Sequence, residues 1–257
     1  MKRRKNLKNS DKKRGIYILP NLVTSANLFC GFYSIVAAMQ GHFVKSSIAI
    51  MVAAIFDNLD GKVARATRSE SPFGVEYDSL CDLVSFGVAP AMLAYLWALK
   101  PFGRLGWLAA FLFVACGALR LARFNTLKNT VSSEYFLGLP IPAAAGMIAT
   151  TILFWYRMGK IDASRNVVLL VMIYGLSFLM VSAIRYYSFK KSEPGKGRHF
   201  NTLVTVVLIL SFVAYEPSIA LFGIGLIYIA SGPVSILIKQ LRPSKVAQPD
   251  KIPEGLV

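Results

Sequence analysis

The chain has 257 residues, 55% of them hydrophobic and 16% charged, with a mean hydropathy of +0.52 and a net charge of +16. Apolar runs recur along nearly the whole length, which excludes a soluble domain with polar helix faces and reads as an integral membrane protein. The positive charge sits in short clusters between those runs and in the opening MKRRKNLKNSDKKR. No nucleic-acid-reading module is recognisable, so the clusters read as juxtamembrane anchors facing anionic membrane lipid.

Residues 1–15 read as a basic cytoplasmic N-terminal segment. The apolar run from Ile16 to about Gln40 is too long for the core of a signal peptide and reads as the first membrane helix. Further spans are expected near 43–63, 79–99, 106–124, 140–157, 166–186, 201–215 and 217–238, the first lying at 18–40. The expected fold is therefore all-α, a polytopic membrane helical bundle of about eight transmembrane helices. Residues 16–240 form a single transmembrane domain, and residues 241–257 a polar C-terminal tail. With the N-terminus inside, the cytoplasmic segments hold 23 of the 29 Lys and Arg residues. That imbalance places both termini in the cytoplasm and the protein in the cytoplasmic (inner) membrane. Cys30, Cys81 and Cys116 stand singly without CxxC spacing and read as small buried hydrophobes.

Between the second and third spans lies FDNLDGKVARATRSESPFGVEYDSLCDLVSFG, which carries Asp57, Asp60, Asp78 and Asp82. One aspartate at the centre of a lipid-embedded helix costs about 2.5–3.5 kcal/mol, so four cost on the order of 10 kcal/mol unless they face a wet or ion-filled cavity. Asp57 and Asp60 are three apart and Asp78 and Asp82 four apart, so each pair shares a helix face. Two antiparallel helices joined near residues 66–76 can bring the pairs together. Clustered carboxylates repel unless cations neutralise them, and oxygen-only ligation suits Mg²⁺ or Mn²⁺, with two ions forming the usual clamp for phosphoryl chemistry. Gly61 and Ala64 would let a flat ligand lie against the backbone, and Gly74 lets the third span begin close to it. Arg65 can fork onto a phosphate or donate to a base, and Lys62 and Arg68 add positive charge nearby. Each of these residues alone also suits a helix cap or a snorkelling anchor; their joint arrangement does not.

Written out, the stretch is Asp-x-x-Asp-Gly-x-x-Ala-Arg, eight residues, Gly, three residues, Asp, three residues, Asp. It resembles the signature of the CDP-alcohol phosphotransferases at all eight fixed positions: Asp57, Asp60, Gly61, Ala64, Arg65, Gly74, Asp78 and Asp82. The resemblance implies attack of an alcohol on the lipid-side phosphorus of a CDP-linked lipid, with CMP leaving. It implies metal ligation by Asp57, Asp60 and Asp78, with Asp82 a fourth ligand or near-ligand and the general base. It implies a CDP-lipid pocket that involves Asp57, Gly61, Ala64, Arg65, Gly74 and Asp78, with Lys62 and Arg68 near it, and a homodimer; the Lys and Arg count separately puts the aspartates, and so the expected active site, at the cytoplasmic face.

The signature is silent on the alcohol. ILPNLVTSANLFCGFYSI (18–35), RLARFN (120–125) and FLGLPIPAAAG (136–146) resemble the phosphatidylserine synthase branch of that family, which implies CDP-diacylglycerol and L-serine as substrates. Serine brings a carboxylate, and Arg120 and Arg123 could supply its cation; as an alternative they are ordinary positive-inside anchors. Asn21, Thr24 and Asn27 recur on one face of the first span, as contacts to nucleotide or substrate or as helix–helix hydrogen-bond donors. Other acceptors, such as glycerol phosphate, inositol phosphate or choline, use the same chemistry. An ion-coupled transporter is the competing class, but its acidic residues belong at the midplane of inverted repeats, whereas this cluster occurs once, at an edge.

Overall fold

The computed structural model describes residues 2–67, 69, 71–127, 135–159, 167–187, 204, 205, 207, 211 and 213–241. Helix α1 (Lys2–Met39) runs back through the basic N-terminal segment without a break in its backbone. It carries Pro20, which removes one intrahelical bond, and Thr24 Oγ1 donates to the Pro20 carbonyl at 3.1 Å. A tight turn, with the His42 amide donating to the Ala37 carbonyl at 2.8 Å, reverses the chain into α2 (Phe43–Thr67). Small buried residues, Ala37, Ala38, Ala49 and Ala53, let α1 and α2 pack closely, and the Ser34 and Ser46 hydroxyls hydrogen-bond across the seam at 2.8 Å.

Helix α3 (Pro72–Asp82) follows, and the chain then continues without leaving helical geometry. A wide π turn (Leu83–Val88), α4 (Ala89–Ala94), a second π turn (Tyr95–Leu99) and a short 3-10 turn (Lys100–Phe102) complete a rod from Pro72 to Phe102. Next come α5 (Arg104–Leu127), α6 (Ile141–Arg157), α7 (Val167–Val181) and α8 (Pro217–Leu241). The core is built where α2, the rod, α5, α6 and α7 meet, around Ile50, Phe86, Leu93, Leu99, Phe113, Ile141, Ile148 and Ile173. The exposed Arg157 pairs with Glu216 through Nε at 3.1 Å and Nη2 at 2.6 Å, tying the end of α6 to the residue before α8.

Four described helices are long and apolar enough to cross a membrane: Leu19–Met39, Pro72–Phe102, Arg104–Thr126 and Pro217–Val234. Their outward faces carry Leu22, Phe29, Phe32, Leu80, Phe111, Leu119 and Ile227, each more than half exposed, which is the surface of an integral membrane protein in lipid.

The structure refines the expected spans. The third helix begins at Pro72 rather than 79, because Ser71 and Pro72 supply a cap and a first turn ahead of the apolar run. Helix α2 forms as expected but carries Asp57, Asp60, Lys62 and Arg65 in its last turns. Helices α6 and α7, at 17 and 15 residues, are shorter than the usual ~20-residue span. The run expected as one helix over 166–186 ends at Val181, and Arg185–Tyr187 instead pairs antiparallel with Tyr135–Leu137. This two-stranded ribbon, β1 (Tyr135–Leu137) and β2 (Arg185–Tyr187), is a local exception, among the described residues, in a fold that is otherwise all-α. Aromatic YFL and RYY segments favour extended pairing over helix. The expected span at 201–215 and the C-terminal tail lie largely outside the described residues.

Candidate active site

The last turns of α2 and the first turns of α3 form the walls of one cleft, and local bonds hold the reversal between them. Thr67 Oγ1 donates to the Val63 carbonyl at 2.7 Å, and the Ser69 amide donates to the Ala64 carbonyl at 3.1 Å, so α2 stays wound to its end. Ser71 then caps α3, its Oγ accepting from the Gly74 amide at 3.0 Å, with Pro72 at the first helical position. Gly74 is small for a reason that the fold makes visible. A Cβ there would stand 3.2 Å from Ser71 Oγ and 3.5 Å from Asn21 Oδ1, where the cap meets α1. The Ser25 and Tyr77 hydroxyls, 2.8 Å apart, pin α3 to α1, and Phe73 stacks on Tyr77.

Asp57, Asp60 and Asp78 converge. Each offers one carboxylate oxygen, and the three oxygens lie within 4.8 Å of one another. Asp60 is 3% exposed, and its Oδ2 is buried without a hydrogen-bond partner among the described residues. Three carboxylates at that range repel strongly outside water, and a buried orphan oxygen adds to the cost. An oxygen-only donor set of this kind fits a hard divalent cation. The two aspartate pairs therefore do meet, though not as a symmetrical four. Asp82 stands outside the trio, within electrostatic reach of Asp57, Asp60 and Asp78. It is buried, and its Oδ1 accepts from Asn27 Nδ2 at 3.1 Å. The π turn starts at the next residue, Leu83, and wide turns of this kind recur at functional sites.

Beside the trio lies a cleft of about 170 Å³. Helix α1 lines it with Pro20, Asn21 and Thr24, α2 with Asp60, Gly61, Ala64 and Arg65, and the reversal and α3 with Ser69, Ser71, Gly74, Val75 and Asp78. Six of the eight signature positions thus face one space. The Arg65 guanidinium folds back over Gly61, with Nη1 3.5 Å from where a Cβ would sit, so the cleft floor there is bare backbone under a cation. Lys62 is exposed and is not among the lining residues, and Arg68 lies outside the described residues. Ser69 and Ser71 are lining residues that the sequence reading passes over. The Ser-Pro pair ahead of an apolar run is the signal that marks Ser71 as a cap.

The two arginines of α5 separate. Arg120 is half-buried, its Nε has no hydrogen-bond partner among the described residues, and its charge lies within reach of Asp82 and of Tyr228 on α8. Arg123 is exposed. Of the α1 residues, Asn21 and Thr24 reach the cleft while Asn27, fully buried, turns to Asp82. Asn125 Nδ2 donates to Ser79 Oγ at 3.0 Å and fastens the end of α5 to α3.

The chain is thus a helical membrane bundle with an acid-rimmed cleft covered by an arginine, a setting suited to binding metal and phosphate. Residues 17–176 match the family model of the CDP-alcohol phosphatidyltransferases, and the chain belongs to that family. A CDP-diacylglycerol–serine O-phosphatidyltransferase of Helicobacter pylori is 40% identical over 216 residues, covering 83% of this chain and 90% of the relative. A Bacillus subtilis protein of the same name is 36% identical over 173 residues, 67% of this chain and 92% of its own. An archaetidylserine synthase of Methanothermobacter thermautotrophicus is 39% identical over 180 residues, 69% of this chain and 73% of the relative.

Proposed function

We propose that this chain transfers a phosphatidyl group from CDP-diacylglycerol to the hydroxyl of L-serine, releasing CMP and giving phosphatidylserine. The observation that carries the reaction class is the convergence of Asp57, Asp60 and Asp78 beside a cleft floored by Gly61 and covered by Arg65. The acceptor is supported by the relatives, whose names share serine even where one of them carries archaetidyl in place of phosphatidyl.

In this reading Asp57, Asp60 and Asp78 hold divalent metal, Mg²⁺ or Mn²⁺ and two ions in all, with Asp82 at the edge of the set. When bound, the metal neutralises the pyrophosphate and stabilises the departing phosphate charge. The protein's own groups do the rest. Arg65 binds a phosphate oxygen or the base, and Gly61, Ala64 and Gly74 let the nucleotide approach the backbone. Asn21, Thr24, Ser69 and Ser71 offer hydrogen bonds to its polar edges. Asp82 takes the proton from the serine hydroxyl as its oxygen bonds to the lipid-side phosphorus. The bond from that phosphorus to the bridging oxygen breaks, and CMP leaves with the electron pair. Lys62 adds positive charge nearby, and Arg68 is expected to do the same from its place in the sequence.

The basic clusters support a site at the cytoplasmic face of the inner membrane, both termini inside, with the N-terminal lysines and arginines against anionic lipid. The eight-span arrangement and a homodimer belong to the same proposal. The test is an acceptor screen: purified protein with CDP-diacylglycerol and serine, glycerol phosphate, inositol phosphate or choline, followed by CMP release. Metal-dependent release with serine is the expected result; strict preference for another alcohol reassigns the acceptor.

A further inference from the structure

Outside the carboxylate trio, two buried polar atoms within reach of Asp82 have no hydrogen-bond partner among the described residues: Asn27 Oδ1 on α1 and Arg120 Nε on α5. They are opposite in kind, the first an acceptor and the second a cationic donor. Leaving a buried polar atom unpaired is costly, more so for a charged group, so each asks for an explanation. Asn27 is not free to seek a partner elsewhere. Asn27 is fully buried, and its Nδ2 is committed to Asp82 Oδ1 at 3.1 Å, which sets the amide plane and keeps Oδ1 beside that carboxylate. Its own backbone carbonyl accepts from Ser85 Oγ at 3.1 Å, locking this turn of α1 to the π turn that follows Asp82. Arg120, half-buried on α5, lies within electrostatic reach of Tyr228 on α8 and of the same aspartate.

We propose that Asn27 and Arg120 read the acceptor as an α-amino acid, Asn27 Oδ1 accepting from its ammonium and Arg120 holding its carboxylate while its hydroxyl faces Asp82. The proposal deepens the serine reading above and rests on it. A zwitterionic amino acid with a hydroxyl on the next carbon carries one donor group and one acceptor group, both adjacent to the reacting oxygen. Those are the complements of the two orphan atoms. A phosphorylated polyol would bring a dianion towards Asp82 and offer Asn27 Oδ1 only a neutral hydroxyl donor in place of an ammonium. Choline has neither an N–H donor nor a carboxylate and would leave both unpaired. A site whose buried polar atoms are paired by one ligand and stranded by its analogue discriminates far more steeply than an apolar pocket does. The arrangement also separates the two arginines: Arg123, exposed one turn on, has no part in it.

The test uses the full chain in detergent with CDP-diacylglycerol and three acceptors: L-serine, ethanolamine, which lacks the carboxylate, and 3-hydroxypropionate, which lacks the ammonium. For wild type, kcat/KM for serine should exceed that for either analogue by at least about 100-fold. In Arg120→Gln the advantage over ethanolamine should shrink by about 10-fold or more, through the serine KM, with the CDP-lipid KM within about 2-fold of wild type. In Asn27→Leu the advantage over 3-hydroxypropionate should shrink comparably; the loss of the Asp82 hydrogen bond lowers kcat for all acceptors and cancels in the ratio. Asn27→Ser, with CDP-lipid binding as the check on folding, replaces the leucine variant if that does not fold. Unchanged ratios in folded variants of a serine-preferring protein overturn this proposal alone. A wild type that ignores serine overturns the serine reading itself.

Discussion

Gly31 of α1 lies so close to Ser85 in the π turn that a Cβ on the glycine would stand 2.6 Å from the serine Cα. This is backbone against backbone, and no side-chain rotation relieves it. Gly31→Ala should therefore cost about 1–3 kcal/mol, seen as a fall of several degrees in the melting temperature in detergent. Because Ser85 also holds the Asn27 carbonyl, activity should fall in the same variant. An unchanged melting point and rate would show that α1 and the π turn can part without consequence.

Asp82→Asn should abolish turnover, a fall of at least about 100-fold in kcat, while CDP-lipid binding stays within about 3-fold of wild type. Asp82 stands outside the Asp57–Asp60–Asp78 trio, so removing its charge leaves the three converging oxygens in place. Full activity in Asp82→Asn, measured as CMP release with saturating serine, would remove it from the role of base.

Chelation should stop CMP release, and Mg²⁺ or Mn²⁺ should restore it. Asp60→Asn and Asp78→Asn should each raise the metal concentration for half-maximal activity by about 10-fold or more, since each removes one of three charged oxygen ligands. Metal-independent activity in wild type would exclude the trio as a metal centre.

Gly61→Ala and Gly74→Ala should differ. At Gly61 a Cβ meets Arg65 Nη1 at 3.5 Å, an ordinary contact, so the fold is kept and the cost falls on the ligand, with the CDP-lipid KM rising about 10-fold. At Gly74 the Cβ presses on the Ser71 cap at 3.2 Å, so the melting temperature should drop together with CDP-lipid affinity. Paired melting and kinetic measurements separate the two.

Hydrogen bonding to Arg157 holds the Glu216 carboxyl below its ordinary range. Stability from this pair is therefore present above the unfolded carboxyl value, about 4.3, and lost as pH falls through the lower folded value. Arg157 is exposed and Glu216 half-buried, and the contribution of such a surface pair is small. Glu216→Gln should melt slightly below wild type at pH 7, and the difference should vanish in strong acid. A gap that persists there would assign the effect to packing.

Much of the site is legible in the sequence because it is local. Spacings of three and four residues fix which aspartates share a helix face, and a short reversal between two helices obliges those faces to meet. Six of the eight signature positions line the cleft for that reason. Contacts that depend on how distant helices cross are not legible. Nothing near Asn27 announces that it bonds Asp82, 55 positions away, or that Tyr228 on α8 comes within reach of Arg120. The apolar run past Val181 reads as one long span because hydropathy does not register the extended pairing of Arg185–Tyr187 with Tyr135–Leu137. The π turn after Asp82 is marked only by Gly87 within it and Pro90 just beyond, and those residues do not say which irregularity the helix adopts.

That wide turn changes how the rod can evolve. It accommodates about one residue more than an ordinary turn, and one residue amounts to roughly 100° of rotation about the helix axis. The distal portion from Ala89 to Leu99, with its second wide turn, thus keeps an angular setting of its own. Exchanges in that distal portion therefore need not re-aim Asp82, because the turn between them is tied to α1 through Ser85 and the Asn27 carbonyl.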